Sequence, residues 1–162
     1  MTEYETPEAY LPHRAPMLLI DRVVDISEED VVCTTHTGAN GPLASVLRPD
    51  GTLSANFLIE ILAQCVGVWA GYYRKERAAE IPESERDADI GLLLSVRGAS
   101  LRTKFVAGDT TLLVKMHKLI QDGNLATFEG CVILNDSRLA EGKVTVYQPK
   151  EKELKTLFNK VS

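Results

Sequence analysis

The sequence is poor in cysteine, histidine and aromatic residues, and it has no long run of one charge. Three cysteines occur in 162 residues: Cys33, Cys65 and Cys131. They are odd in number, widely spaced and form no CxxC pair. This excludes a disulfide scaffold and predicts reduced, mostly buried thiols, none of them marked as a nucleophile. There is no HxxEH motif, no His/Cys cluster and no glycine-rich phosphate loop, so no metal is expected. Eighteen basic against 23 acidic residues give a net charge of −5. That balance leaves no concentrated basic face for phosphate contacts and argues against nucleic-acid binding. The N-terminal stretch Met1–Pro7 is acidic and lacks the basic and apolar regions of a signal peptide, so a cytoplasmic location is expected. What remains is an ordinary globular composition, 44% hydrophobic and 25% charged. It predicts one domain over residues 1–162, with 148–162 as a tail or short surface helix.

The order of elements is legible from local pattern. Thr6-Pro7-Glu8 predicts a short helix to about Tyr10, ended by Pro12. Branched apolar residues predict strands over Met17–Ile26 and Val31–Thr37, joined by the turn Ser27–Asp30. Gly38–Leu53 is a loop rich in Gly, Pro, Asn and Asp. A long helix is expected from Ser54, as its cap, to about Glu76. An acidic stretch from Glu76 to Asp89 reads as a solvated loop. Four strands follow in meander, at Leu92–Arg102, Thr110–Gln121, Leu125–Asn135 and Leu139–Tyr147, with a hairpin signal at Asp122-Gly123. The fold class is therefore α+β, an antiparallel sheet packed around one helix.

The helix carries the chemistry. Residues 55–73 are almost wholly apolar or small, and the exceptions, Asn56, Glu60 and Gln64, recur at i, i+4 and i+8. At 3.6 residues per turn they form one narrow stripe. A carboxylate in mid-span costs roughly 3 kcal/mol on insertion scales, so a sheathed helix is favoured over a membrane span. Glu60, between Leu58-Ile59 and Ile61-Leu62, sits in surroundings that suit a general acid–base carboxylate; a structural carboxylate bonded to a strand or partner subunit is the alternative. Asn56 lies where free backbone N–H groups of the first turn could hold a carbonyl oxygen, or is plain helix-start chemistry. Gln64 is placed to orient Glu60 or a water, or to satisfy a core backbone group.

Two motifs then stand out together. Tyr10-Leu-Pro-His-Arg-Ala-Pro-Met-Leu-Leu-Ile-Asp-Arg22 resembles the opening of the FabZ-type 3-hydroxyacyl-acyl carrier protein dehydratases. Phe57-Leu-Ile-Glu-Ile-Leu-Ala-Gln64 resembles the start of their central helix. A looser similarity covers Ala99–Asp109, and the three lie in family order across Tyr10–Tyr147. The resemblance implies a hot-dog fold, in which a curved antiparallel sheet wraps the helix. It also implies dimerisation, active sites between subunits, and an acyl group carried on phosphopantetheine of an acyl carrier protein, with no other cofactor. Counting back from Glu60 puts Val46 where the family has its catalytic histidine, and Ser54-Ala55 where a Pro-Gly pair supplies an oxyanion N–H. The histidine-free loop looks most like the divergent ApeP-like branch of aryl polyene biosynthesis.

Dehydration of a 3-hydroxyacyl thioester needs a base for the C2 proton and an acid for the leaving hydroxyl. Glu60 is the carboxylate that the resemblance retains. Of three histidines, His13 in the matched motif is the leading replacement base, His36 at a strand end is second, and His117 on an exposed strand face is last. Three readings stay open at this point. One is a 3-hydroxyacyl-carrier-protein dehydratase, working as a homodimer. Another is a half-site or non-catalytic subunit in a hetero-oligomer with a second hot-dog dehydratase. The third is a hot-dog thioesterase. Arg97, Arg102, Lys104, Lys115 and Lys118 against Asp109 alone suit docking of an acidic carrier protein, or are a solvated strand face.

Overall fold

The computed structural model of the chain describes residues 3–88 and 91–161. Strands β1 (Arg22–Ile26) and β2 (Asp30–His36) are followed by a two-residue strand β3 (Leu53–Ser54) and the long helix α1 (Phe57–Ala78). Then come β4 (Leu92–Leu101), the short β5 (Phe105–Val106), β6 (Thr111–Asp122), β7 (Leu125–Leu134), β8 (Ser137–Tyr147) and helix α2 (Glu151–Val161). Six strands form one antiparallel sheet in the order β1-β2-β6-β7-β8-β4, and β3 pairs with β5 separately. This is the hot-dog arrangement that the resemblance implies.

Period-two burial explains the sheet. Along β2, Val31, Cys33 and Thr35 are buried while their neighbours are not. Along β6 and β7, Leu112, Val114, Met116, Ala126, Phe128 and Val132 face the same core. Against them α1 presents Leu58, Ile61, Leu62, Cys65, Val66 and Val68, all fully buried. Each large side chain so buried contributes roughly 1.5–3 kcal/mol relative to exposure. Trp69 closes the end of this core. Its ring lies 5.0 Å from that of Phe128, and its Nε1–H donates to the carbonyls of Ser27 and Glu28 in the β1–β2 turn.

Several local expectations change. The meander holds for β6-β7-β8 but not for β4, which lies at the far edge beside β8. The chain returns from that edge by way of β5, whose pairing with β3 carries it beneath the start of α1 to a place beside β2. Among the described residues β4 has a strand partner on one side only, and its Leu93 and Leu94 are about half exposed. The β7–β8 turn is tighter than expected: Asn135 and Asp136 both take positive φ, 48° and 67°, so β8 starts at Ser137. Ser54 does not cap α1. It is in β3, and Asn56 occupies the N-cap position with no side-chain cap hydrogen bond.

The expected strand from Met17 begins only at Arg22. Met17 closes a turn on Arg14, residues 18–21 have no regular secondary structure, and side chains rather than a ladder take up the backbone of Leu19. Its N–H donates to Gln64 Oε1 at 2.8 Å, and its carbonyl accepts from Thr35 Oγ1 at 2.6 Å. Further upstream this strap touches the helix directly. A Cβ on Gly71 would lie 1.9 Å from the Tyr10 carbonyl oxygen, and one on Gly67 would meet Leu11 Cδ2 at 2.6 Å. The two glycines are what let the strap lie on α1. Gly71→Ala therefore forces backbone apart, not a flexible side-chain tip. We expect a loss of at least about 2 kcal/mol, seen as a melting temperature lower by about 4–8 °C in thermal denaturation. An unchanged melting point would mean that the strap does not bear on the helix in solution.

The acidic stretch is not a freely solvated loop. Asp87 is buried between Arg77 (2.9 Å) and Lys150 (3.0 Å), and Ala88 accepts from Gln148 Nε2 at 2.6 Å. Asp89 at its end lies outside the described residues. Cys33, Cys65 and Cys131 are all buried and unpaired, and burial pushes the Cys65 thiol well above its usual range, which makes it inert. Among the described residues no helix is long and apolar enough to cross a membrane.

Candidate active site

The site forms where the strap crosses α1. Arg14 shapes the strap by donating from Nη1 to the carbonyls of Leu11 (2.8 Å) and His13 (2.7 Å), while its own carbonyl accepts from Met17 N–H. His13 is thereby held over the first turn of α1, with Nε2 3.9 Å from Glu60 Oε1. That separation is too long for a direct hydrogen bond and leaves room for a shared substrate oxygen or water. His13 Nδ1 is buried and has no partner among the described residues.

Gln64 fixes the carboxylate. A backbone N–H can only donate, so the side-chain atom facing Leu19 must be the amide oxygen. The amide nitrogen then points the other way, donating to the Met17 carbonyl at 2.9 Å and to Glu60 Oε1 at 3.2 Å. Gln64 is 2% exposed, so this orientation is locked. Oε1 of Glu60 is therefore an acceptor, and Oε2 is the carboxyl oxygen that Gln64 does not engage. The Glu60 side chain is 44% exposed, more open in this chain than its apolar sequence neighbours imply. Its backbone faces the core through Leu58 and Ile61, but the side chain points along the uncovered face of α1.

His13, Glu60 and Gln64 line one cavity of about 230 Å³. It runs along α1 past Ala63, Gly67 and Ala70 toward Arg74, between Leu11 on one side and Leu93 and Val146 on the other. The stripe read from the helix thus splits. Glu60 and Gln64 enter the site, whereas Asn56 is exposed at the N-cap and does not line the cavity. The helix begins one residue later than that expectation requires. Sequence reasoning missed the role of the strap backbone at Met17 and Leu19. The small-residue spacing of Ala63, Gly67 and Ala70 was the available signal for the groove.

The other histidines lie elsewhere. His36 ends β2 as expected and packs on the following loop, its Nδ1 accepting from Gly38 N–H at 3.2 Å. His117 faces solvent on β6. A hydrogen bond with Asp30 at 2.8 Å holds its imidazole pKa above the ordinary value. It borders a larger open hollow of about 710 Å³ on the outer face of the sheet, whose walls carry interleaved Lys115, Glu129, Glu141 and Lys143. The expected basic face is broken up in the same way. Arg102 and Arg138 both pair with Glu141, lowering its carboxyl pKa, and Lys118 lies over the Trp69 ring at 5.0 Å.

The two departures from the FabZ pattern have visible consequences. Val46 sits in a short turn (Ala44–Val46) and packs, partly buried, on the core. The Ala55 N–H, which occupies the oxyanion-donor position in the gapless count, donates to the Lys104 carbonyl at 3.0 Å and is not free. No group of three His, Cys, Asp or Glu among the described residues could hold a metal ion.

Comparison with known proteins agrees with this pattern. The chain is 28% identical over 137 residues to the 3-hydroxyacyl-[acyl-carrier-protein] dehydratase FabZ of Streptococcus agalactiae, covering 83% of this chain and 89% of the relative. It is 29% identical over 148 residues to the FabZ of Chlamydia abortus, covering 89% and 90%. Among solved structures, a chain of the dehydratase heterocomplex ApeI:P from Xenorhabdus doucetiae is 35% identical, with a TM-score of 0.85, over 97% of this chain and 99% of that one. A thioesterase-like protein of Streptococcus pneumoniae at 15% identity and TM-score 0.55 shares the fold alone. The ApeP-like family model, described as ApeP dehydratase, matches residues 5–159, and the chain belongs to the ApeP-like dehydratase family.

Proposed function

We propose that this protein is a subunit of a 3-hydroxyacyl-acyl carrier protein dehydratase in fatty-acid or aryl polyene biosynthesis, acting in the cytoplasm. The observation that carries the reading is the approach of His13 to Glu60 at 3.9 Å beside an open apolar groove. In the reaction, His13 removes the C2 proton, which the thioester carbonyl acidifies. The C2–H electrons become the second C2–C3 bond as the C3–O bond breaks. Glu60 acts as the acid, giving a proton from Oε2 to the departing hydroxyl, which leaves as water. Histidine then carries the extra proton and glutamate lacks one, and their proximity lets a single proton transfer restore both.

A heteromeric assembly is favoured over a homomer by two features of this chain: Val46 stands where the family's histidine would be, and the Ala55 N–H is already engaged. The similar solved structure is itself called a heterocomplex. With His13 as the base, a second hot-dog subunit would supply the missing oxyanion donor, and the acyl chain would arrive on the phosphopantetheine of an acidic carrier protein. The test is an assay of the purified chain, alone and with a co-expressed second subunit, on 3-hydroxyacyl carrier protein. Loss of one water from the acyl group is read by mass spectrometry and free thiol is measured in parallel. Enoyl product without thiol release is expected. Thiol release without enoyl product would make the protein a thioesterase. His13→Gln should lower enoyl formation by about 10²–10⁴-fold; a change under about threefold would reduce His13 to a structural part of the strap.

A further inference from the structure

Helix α2 takes no part in the proton chemistry, and its apolar face is uncovered. Leu154, Leu157 and Phe158 recur at i, i+3 and i+4 and share one stripe. Leu157 is 52% and Phe158 67% exposed, and every residue from Lys155 to Lys160 is exposed. Only the first turn is tethered. The Glu151 N–H donates to the Arg86 carbonyl at 3.0 Å, Lys150 pairs with Asp87 at 3.0 Å, and the Tyr147 hydroxyl donates to Glu153 Oε2 at 2.5 Å. α2 has 11 residues, a length at which a helix without packing on its apolar face is marginal in water. It needs a cover that the described residues do not provide.

Position, area and charge say what that cover is. Tyr147, which holds Glu153, is paired with Leu92 of β4, so α2 leaves the sheet at its open rim. The free backbone groups of β4 are met by another strand, and a subunit that completes the sheet is thereby brought against the root of α2. A stable complex buries about 800 Å² on each partner. Three helical side chains supply only part of that, so the stripe extends a larger contact, to which the half-exposed Leu93 and Leu94 of β4 belong. On the helix surface Lys155 lies about 60° from Phe158 on one side of the stripe, and Lys160 about 60° from Leu157 on the other. In a chain of net charge −5, this segment carries Lys150, Lys152, Lys155 and Lys160 against Glu151 and Glu153. We infer, on the heteromeric reading proposed above, that α2 is a docking arm for the second hot-dog subunit. Leu157 and Phe158 enter an apolar hollow of that subunit, and carboxylates on its rim face Lys155 and Lys160.

The test uses the full chain and the second subunit of the dehydration assay, with their affinity read by analytical ultracentrifugation and no turnover required. Leu157→Ala combined with Phe158→Ala should raise Kd at least about thirtyfold. Lys155→Glu combined with Lys160→Glu keeps both apolar side chains. It should raise Kd at least about fivefold in about 50 mM salt and less in about 500 mM. Lys152→Glu, on the opposite face, should change Kd less than about twofold. In wild type, the amides of residues 155–160 should exchange fast in the free chain and at least about tenfold more slowly in the complex. A complex that forms with the same Kd in wild type and both double variants would overturn the arm and keep the heteromer. Protection of residues 155–160 by a second copy of this chain, or by phosphatidylglycerol vesicles, but not by the second subunit would overturn it too. A tight complex that depends on Leu157 and Phe158 but yields no enoyl product would sink the dehydratase reading and keep the arm. Enoyl product from the chain alone, with no complex formed, would remove the heteromer and the arm with it.

Discussion

Glu60→Gln lowers enoyl formation by about 10²–10⁴-fold and leaves the melting temperature within about 2 °C of wild type. The two halves of that expectation have separate causes. A glutamine at 60 keeps a side-chain oxygen where Glu60 Oε1 now accepts from Gln64 Nε2, so that hydrogen bond survives. It cannot carry a transferable proton, so the leaving hydroxyl departs without an acid. The assay is single-turnover dehydration of a 3-hydroxyacyl carrier protein, in whichever assembly is active, with thermal melting of the same preparation. Activity above a tenth of wild type would remove Glu60 from proton transfer and leave it as the structural carboxylate that the sequence also allows.

Gln64→Leu has the largest expected effect on stability. Leucine matches the size of the side chain but makes none of its hydrogen bonds. The Leu19 N–H and the Met17 carbonyl lose their partner, and Glu60 loses its donor. Leaving a buried polar group unsatisfied costs about 1–3 kcal/mol. The backbone pair alone predicts about 2–6 kcal/mol, or roughly 4–24 °C in melting temperature. Amide exchange locates the effect. Leu19 lies outside any strand or helix, so its amide is expected to exchange slowly in wild type through the bond to Gln64. If the variant cannot be purified, Gln64→Glu answers the same question. It keeps an acceptor for Leu19 N–H but sets a second carboxylate against Glu60, so protection at Leu19 should persist while activity falls. Equal exchange at Leu19 in wild type and Gln64→Leu would show that the strap is held by other contacts.

The architecture was readable wherever local periodicity and core packing agree. The apolar run 55–73 is α1, and the alternating segments after it are β4, β6, β7 and β8, with the Asp122-Gly123 turn in place. Errors came where a long-range partner replaced a local one. Met17–Asp21 is apolar and branched like a strand, but Gln64 and Thr35 bind the backbone of Leu19. Ser54 is an ordinary capping residue, but pairing with Phe105 draws it into β3. Of the candidate site, Glu60 and Gln64 were visible from their spacing, and His13 from its motif. Their meeting was not, because it depends on Tyr10 lying on Gly71, a contact between residues 61 positions apart that no local pattern encodes.

The position of β4 bears on how readily the protein associates with other chains. A strand at the rim of a sheet, with an unpaired backbone and exposed leucines, is a template for any other strand it meets. Proteins with such rims shield them with charge, proline or a bulge, and β4 has one charge, Arg97, and bulges at Leu93/Ser95 and Arg97/Ser100. A chain whose β4 stays uncovered is expected to associate with others through that rim, and a strand that completes the sheet would suppress this self-association.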